Sequence, residues 1–293
     1  MKPAPFEYHA PATIAEATTL LTELRADEPK VLAGGQSLVP LLNFRLARPG
    51  HLVDINRIPG LDAIEQSGMH LTVGALVRHA DIEDSDRVDA LMPLLRHVAR
   101  HIGYRQIRYR GTLCGSLCHA DPVAEWPMIV RLLDADLEAF GPGGTRTIRS
   151  DQFFEYTFTT NLADNEILTG VRLPTPHSPW GWGFSEFSRK VGDFAIAAAV
   201  SIVEVEDGQV RRARIALAGA GPTPIRAHQA ESALTGSSLD DEHAIALAAN
   251  AAAELSEPTS DIHGSEGFRR QLIRVQTSRA IEQAFERVRT SPL

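Results

Sequence analysis

The chain has 293 residues, of which 43% are hydrophobic and 23% charged, and its formal net charge is −8. It is a globular composition, long enough for two domains or one large one. The acidic balance, with no Lys/Arg block beyond pairs such as Arg211-Arg212, disfavours nucleic acid, whose phosphates need clustered positive charge.

Cys114 and Cys118 are the whole thiol inventory. They are too few for a disulfide framework, and nothing in the composition suggests export. Pro3, Glu7 and His9 replace the apolar run of a signal peptide. The longest apolar stretch, Phe194 to Val205, is too short to cross a bilayer. These features predict a cytoplasmic protein with no membrane span.

Thr13 and Glu16 have capping-box spacing, and Ile14, Ala17, Leu20, Leu21 and Leu24 then form one apolar stripe, which predicts a helix ended by Pro29. A strand over Lys30 to Ala33 runs into Gly34-Gly35-Gln36-Ser37. A short helix over Leu38 to Leu46 and a buried strand over His51 to Ile55 follow. A second region begins near Pro59-Gly60. It contains a strand at Met69 to Ala75 and one amphipathic helix from Leu91 to Ile102, with Leu94, Leu95, Val98 and Ile102 in register. The segment Ile107 to Asp121 is dense in small residues, and helical character resumes from Trp126 to Leu133. Gly141-Pro142-Gly143-Gly144 joins two strand candidates within Leu137 to Ile148, and Ile167 to Leu173 is a further strand.

Residues 174–183 are rich in proline, glycine and tryptophan and predict a domain boundary. Strands over Ala195 to Glu206 and Gln209 to Ala218 are joined by Asp207-Gly208, a hairpin signal. Helices at about 241–254 and 265–287 close the chain. The expected C-terminal part is therefore an antiparallel sheet packed by helices, an α+β layout.

Two loops carry chemistry. In Ala33-Gly34-Gly35-Gln36-Ser37, glycines permit positive backbone angles, and successive backbone N–H groups can cradle a phosphate. The alternative is a plain tight turn with Ser37 capping the next helix. In Gly111 to Pro122, Thr112 and Ser116 could donate to phosphate oxygens and Asp121 could accept from a ribose hydroxyl. His119 is either a cofactor contact or a satisfied structural histidine, and Pro122 could begin the next helix. Neither loop has the G-x-G-x-x-G or the G-x-x-x-x-G-K-[ST] spacing, which disfavours an ordinary nicotinamide dehydrogenase and a nucleoside triphosphatase. The two loops suit one long, bent, doubly anionic ligand.

Five ordered segments carry a resemblance over almost the whole chain. They are AGGQSLVPLLNFRLARP (33–49), QIRYRGTLCGSLCHADPVAEWP (106–127), EFSRKVGDFA (186–195), ALAGAGPTPIRA (216–227) and DIHGSEGFRR (261–270). Together they resemble the medium, FAD-binding subunits of molybdenum hydroxylases, the carbon monoxide dehydrogenase and xanthine dehydrogenase family. The resemblance implies a PCMH-type (vanillyl-alcohol-oxidase-like) FAD-binding domain over 1–176, with subdomains of about 1–58 and 59–176. A carbon monoxide dehydrogenase flavoprotein-like C-terminal domain over 180–290 would follow. It implies that Ala33, Gly34, Gly35, Gln36, Ser37 and Leu38 wrap the FAD pyrophosphate. Thr112, Gly115, Ser116, Ala120 and Asp121 would line the second loop and the adenosine side, and Leu168 and Phe194 would lie near the isoalloxazine ring.

Two positions depart from the family pattern. Cys114 stands where a Gly-Gly pair usually begins, which would alter the loop angle, because cysteine does not readily adopt a left-handed backbone. Glu186 stands where many relatives carry a lysine near the flavin, and would reverse the local charge.

The resemblance implies no catalytic residue or metal ligand in this chain. A small subunit with two [2Fe-2S] clusters would feed electrons to FAD here, and a large subunit with a molybdenum-pterin cofactor would hydroxylate the substrate. A dimer of heterotrimers is the expected assembly. Two cysteines cannot supply the four thiolates of an all-cysteine cluster. The alternatives are a stand-alone FAD-dependent oxidoreductase and a non-catalytic assembly subunit that no longer binds FAD.

Overall fold

The computed structural model describes residues 2–176 and 179–290. The expected boundary at 174–183 therefore includes two positions, 177 and 178, outside the described residues.

A parallel three-stranded sheet comes first, from β1 (Glu7–His9), β2 (Lys30–Leu32) and β3 (His51–Asp54), in the order β1-β3-β2. Helix α1 (Ile14–Glu23) connects β1 to β2, and α2 (Leu38–Asn43) leads towards β3. Thr13 caps α1 by accepting the Glu16 N–H at 3.2 Å, while the Glu16 carboxylate accepts the Ala12 N–H at 2.8 Å. The first bond satisfies one N–H that the helix itself leaves free, and the second ties the incoming chain to the first turn. Ala17 and Leu21 from its apolar stripe are fully buried.

The second sheet uses β4 (Ile64–Ser67), β5 (His70–Gly74), β6 (Asp136–Gly141) and β7 (Gly144–Arg149). After a small ribbon of β8 (Phe154–Tyr156) and β9 (Thr159–Thr160), β10 (Ile167–Pro174) enters its centre and completes the order β4-β5-β10-β6-β7. The β6–β7 hairpin turns at the expected glycines, Gly141 pairing with Gly144. Between β5 and β6 the chain forms α3 (His79–Asp84), α4 (Asp86–Leu91), α5 (Pro93–Ala99), α6 (Arg105–Arg108), α7 (Leu113–His119) and α8 (Glu125–Leu132). The single helix expected over Leu91 to Ile102 is broken. Met92 leaves the helical region at φ −151°, and Pro93 opens α5 at its first turn, where the missing N–H costs nothing. Leu94, Leu95 and Val98 still share a buried face.

After the short helix α9 (Ser150–Phe153), which precedes the ribbon, the C-terminal part is built on β11 (Trp180–Phe187), β12 (Ala197–Glu206), β13 (Gln209–Ala218) and β14 (Ile225–Arg226), antiparallel in sequence order. Asp207 and Gly208 both take positive φ, 51° and 75°, as a two-residue hairpin requires. The composition shift at 174–183 hid β11. Its glycines serve packing: a Cβ on Gly183 would collide with the Ala280 carbonyl, and one on Gly181 with that of Ala284. Both carbonyls belong to α12 (Glu266–Thr290), which follows α10 (His228–Leu234) and α11 (Glu242–Glu254).

Both faces of this sheet are covered. Ala198, Val200 and Ile202 join the core of the N-terminal part, whereas Ala197, Ala199 and Val203 pack with α11 and α12 residues such as Ala248 and Ile281. Strand alternation thus serves two cores with one set of residues. Across the junction Arg287 lies 3.6 Å above the Trp182 ring, and His97 of α5 packs against the same indole at 5.0 Å.

Candidate flavin site

The first loop follows the C-terminal end of β2 and has Gly35 at φ +73°. Gly34 is buried against the start of the second motif: a Cβ there would strike the Arg110 carbonyl and lie 2.7 Å from the Gly111 Cα. Two segments 76 positions apart (110 − 34) therefore touch backbone to backbone. Among the described residues, the backbone N–H groups of Gly34, Gly35, Gln36, Ser37 and Leu38 donate no hydrogen bond within the chain. Successive free donors in a glycine turn can form a concave site for an anion. Ser37 precedes α2 but makes no side-chain cap, so that part of the plain-turn expectation is not met.

A polar chain locks the loop in place. Tyr8 donates to Asp54 at 2.6 Å, and Asp54 accepts the Asn56 backbone N–H at 2.9 Å. The Asn56 amide donates to the Ala33 carbonyl at 2.8 Å. Arg78 donates to the Asn56 side-chain oxygen and to the Arg110 carbonyl, both at 2.5 Å. One guanidinium thus ties the edge of the first loop to the entry of the second. Neither Asn56 nor Arg78 carries a local sequence signature, and both were missed in the sequence.

The second motif is a helix rather than a loop. Thr112, 2% exposed, accepts the Gly115 N–H at 3.0 Å and starts α7. Its hydroxyl oxygen is therefore occupied as a cap. Cys114 sits inside α7, buried in the core, and has no left-handed strain; the expected change of loop angle does not occur. Burial pushes its thiol well up. Gly115 and Ser116 are half-buried. Ala120 ends the helix at φ +52°, and its carbonyl accepts the Phe158 N–H at 3.0 Å. Asp121 accepts the Val123 N–H at 3.1 Å, and burial raises its carboxyl above the usual range. Pro122 lies in the following turn, and α8 starts only at Glu125. His119 packs on Phe158 at 5.0 Å.

His79 supports this corner from below. Its buried Nδ1 accepts the Trp126 indole N–H at 3.0 Å, and burial, with Arg108 and Arg78 nearby, lowers its pKa to about 3. A neutral imidazole therefore fills the space under Gly111, where a Cβ would lie 2.7 Å from its Nε2.

Leu168 is buried on β10 beside a bulge, and Phe194 is 64% exposed on the β11–β12 connection. Phe194 lines a cavity of about 400 Å³ together with Pro122, Gly219, Asp261 and Arg269. Four of the five distant motifs meet there. Arg269 is held in its wall by Asp261 at 2.6 Å and by the Ile196 carbonyl at 3.1 Å.

Glu186 acts on Glu125 through its charge. Burial first, and then Glu186, raises Glu125 to about 8; burial raises Glu186 to about 7. One Glu186 oxygen is buried without a hydrogen-bond partner. The expected charge reversal is therefore muted, because a carboxyl with a pKa near 7 is largely neutral on the acid side of neutrality.

A glycine turn with free backbone donors in the N-terminal part, followed by an antiparallel-sheet C-terminal part, fits a flavoprotein of the molybdopterin-dehydrogenase type, and the family matches establish that class. The family model for the FAD-binding domain in molybdopterin dehydrogenase matches residues 4–176, and that for the CO dehydrogenase flavoprotein C-terminal domain matches 182–284. The chain belongs to the family of FAD-binding medium subunits of molybdenum hydroxylases and is an FAD-dependent oxidoreductase subunit. It is 43% identical to the 6-hydroxypseudooxynicotine dehydrogenase complex subunit alpha of Paenarthrobacter nicotinovorans, over 99% of this chain and 97% of that one. Solved structures of carbon monoxide dehydrogenase from Hydrogenophaga pseudoflava and of quinoline 2-oxidoreductase from Pseudomonas putida 86 superpose with TM-scores of 0.95 and 0.93. They are 38% and 36% identical, and each match covers 98% of this chain and 99% of the other.

Proposed function

We propose that this chain passes electrons from the [2Fe-2S] clusters of a small subunit to an external acceptor, in a complex whose large subunit holds the molybdenum-pterin cofactor. The row of free N–H groups at 34–38, braced against Arg110, is the observation that carries the reading. When bound, FAD supplies the redox centre. The chain's own residues hold and insulate it.

In this reading Ala33 to Leu38 hold the pyrophosphate through backbone donors. Thr112 fixes the α7 start and so positions Gly115 and Ser116, while Ala120 and Asp121 close the adenosine side. Leu168 and Phe194 provide the apolar surface next to the ring system, excluding water. A neutral Glu186 would donate a hydrogen bond where a lysine would bring positive charge.

The likeness to 6-hydroxypseudooxynicotine dehydrogenase and quinoline 2-oxidoreductase favours an N-heterocyclic substrate for the whole complex. Its assembly is a dimer of heterotrimers in the cytoplasm. Among the described residues, no helix is long and apolar enough to cross a membrane.

Native purification followed by metal, flavin and subunit analysis tests this. FAD in this chain, iron–sulfur and molybdenum in co-purifying partners, and no hydroxylation by the isolated chain are expected. Full substrate oxidation by the chain alone would overturn the subunit reading.

A further inference from the structure

The parallel pairing of β1 with β3 sets Glu7 beside His51 and places His9 two residues further along the same face. His9 Nε2 lies 3.0 Å from His51 Nδ1, and the Glu7 carboxylate lies 3.7 Å from that same nitrogen. The three potential ligand atoms fall within 4.8 Å of one another. Tetrahedral zinc with bonds of about 2.0–2.1 Å separates its ligands by roughly 3.3 Å, so the two shorter spacings bracket that value.

A fourth residue completes the arrangement. Asp27 stands 3.6 Å from the other nitrogen of His51, Nε2. A carboxylate there favours the Nε2–H tautomer and leaves the Nδ1 lone pair facing His9 and Glu7, the outer support that metal-binding histidines commonly have. The His51 side chain is 11% exposed, whereas Glu7 at 76% opens the site to solvent. The ring that fixes the geometry is buried, and the entry side is open.

The geometry points to a zinc-type transition-metal site made of Glu7 Oε, His9 Nε2 and His51 Nδ1, with water in the open position. Two imidazoles and one carboxylate suit zinc and neighbouring divalent transition metals better than calcium or magnesium, which favour all-oxygen sets. Without metal, His9 Nε2 and His51 Nδ1 share one hydrogen bond at 3.0 Å. A bound metal would replace it, with each imidazole in the tautomer that leaves the ligating nitrogen's lone pair free. The site lies at the N-terminal end of β3, whereas the flavin loop leaves the C-terminal end of its parallel neighbour β2, about 10 Å along the strands. Metal there clips the three-residue strand β1 onto the sheet that carries the flavin loop, and is no part of the redox path.

The test uses the full untagged, FAD-loaded chain, stripped with chelator and titrated with zinc chloride. One zinc per chain is expected, with a melting temperature raised by about 4 °C at a hundredfold excess over Kd. His9→Gln and Glu7→Gln, both at solvent-accessible positions, should weaken binding about tenfold or more, and Asp27→Asn by about tenfold, with flavin absorption unchanged. No saturable zinc binding would overturn the proposal and leave the pair as a plain hydrogen bond. Binding of equal strength in His9→Gln would overturn it equally, because the zinc would then sit elsewhere.

Discussion

Gly34 rests its Cα against the backbone of Arg110, and that contact joins the glycine loop after β2 to the segment that leads into α7. An alanine at 34 has no side-chain atom to deflect, because what it meets is backbone. Gly34→Ala should separate the two segments and lower FAD affinity at least about tenfold, with a loss of stability of roughly 1–3 kcal/mol. Flavin absorption after gel filtration and a urea titration measure the two effects. Full flavin retention would show that the contact does not shape the site.

Gly35 gives a separate handle, since its φ of +73° disfavours any side chain. A valine there costs about 1–2 kcal/mol in backbone strain and crowds the row of free N–H groups. FAD should leave Gly35→Val, while far-UV circular dichroism stays near the parent. A bulky replacement of Ser116, such as Ser116→Trp, should act in the same direction.

Arg78 bridges Asn56 and the Arg110 carbonyl. Arg78→Lys keeps the charge and loses the fork that reaches both acceptors at once. A weakening of FAD binding by about tenfold is expected in fluorescence titration, because the two motifs then move independently. A wild-type affinity in this variant would mean that packing alone aligns them.

Glu125 and Glu186 predict a pH dependence. Their folded pKa values, about 8 and about 7, lie above the ordinary 4.5. The native state therefore holds extra protons between roughly pH 4.5 and 8, and stability falls as pH rises through that window. Below 4.5 both states are protonated and the contribution is complete; above 8 it is lost. Glu125→Gln should flatten the pH dependence of the unfolding free energy from urea titrations over this range, by roughly 3–5 kcal/mol relative to the parent. An unchanged slope would show that water or a partner group already satisfies the pair.

Gly183 packs its Cα on the α12 backbone at Ala280. Gly183→Ala must push helix from sheet, and we expect a loss of about 1–3 kcal/mol with a matching drop in melting temperature. The FAD-binding domain model matches residues 4–176, apart from this contact, so FAD stoichiometry of the folded fraction should stay at one.

Local signals were strong where backbone chemistry leaves a mark in sequence. The Thr13 cap, the apolar period of α1, the glycines of the β6–β7 turn and Asp207-Gly208 each specify a local conformation with neighbours a few residues away. The same holds for the glycine loop at 33–37, whose permissive backbone suits an anion by itself. The family motifs extended that reading to FAD.

Signals failed where a residue's role depends on a distant partner. The stretch at 174–183 reads as a linker because tryptophan, glycine and proline are counted locally. In space Gly181 and Gly183 make room for α12, and Trp182 receives Arg287. Cys114 reads as a strained loop residue, yet Thr112 turns its segment into a helix and buries it.

The sequence by itself therefore determined most of the elements, the acidic character and the glycine-rich segments, since these follow from short-range periodicity, charge and glycine freedom. Only the tertiary structure decided which of them meet. It set Gly34 on Arg110, let Arg78 span two motifs, brought Glu125 under the influence of Glu186 and aligned Glu7, His9 and His51 by strand register. Register and long-range packing are cooperative properties of the whole core, and burial rather than residue type sets the charge state of each group there.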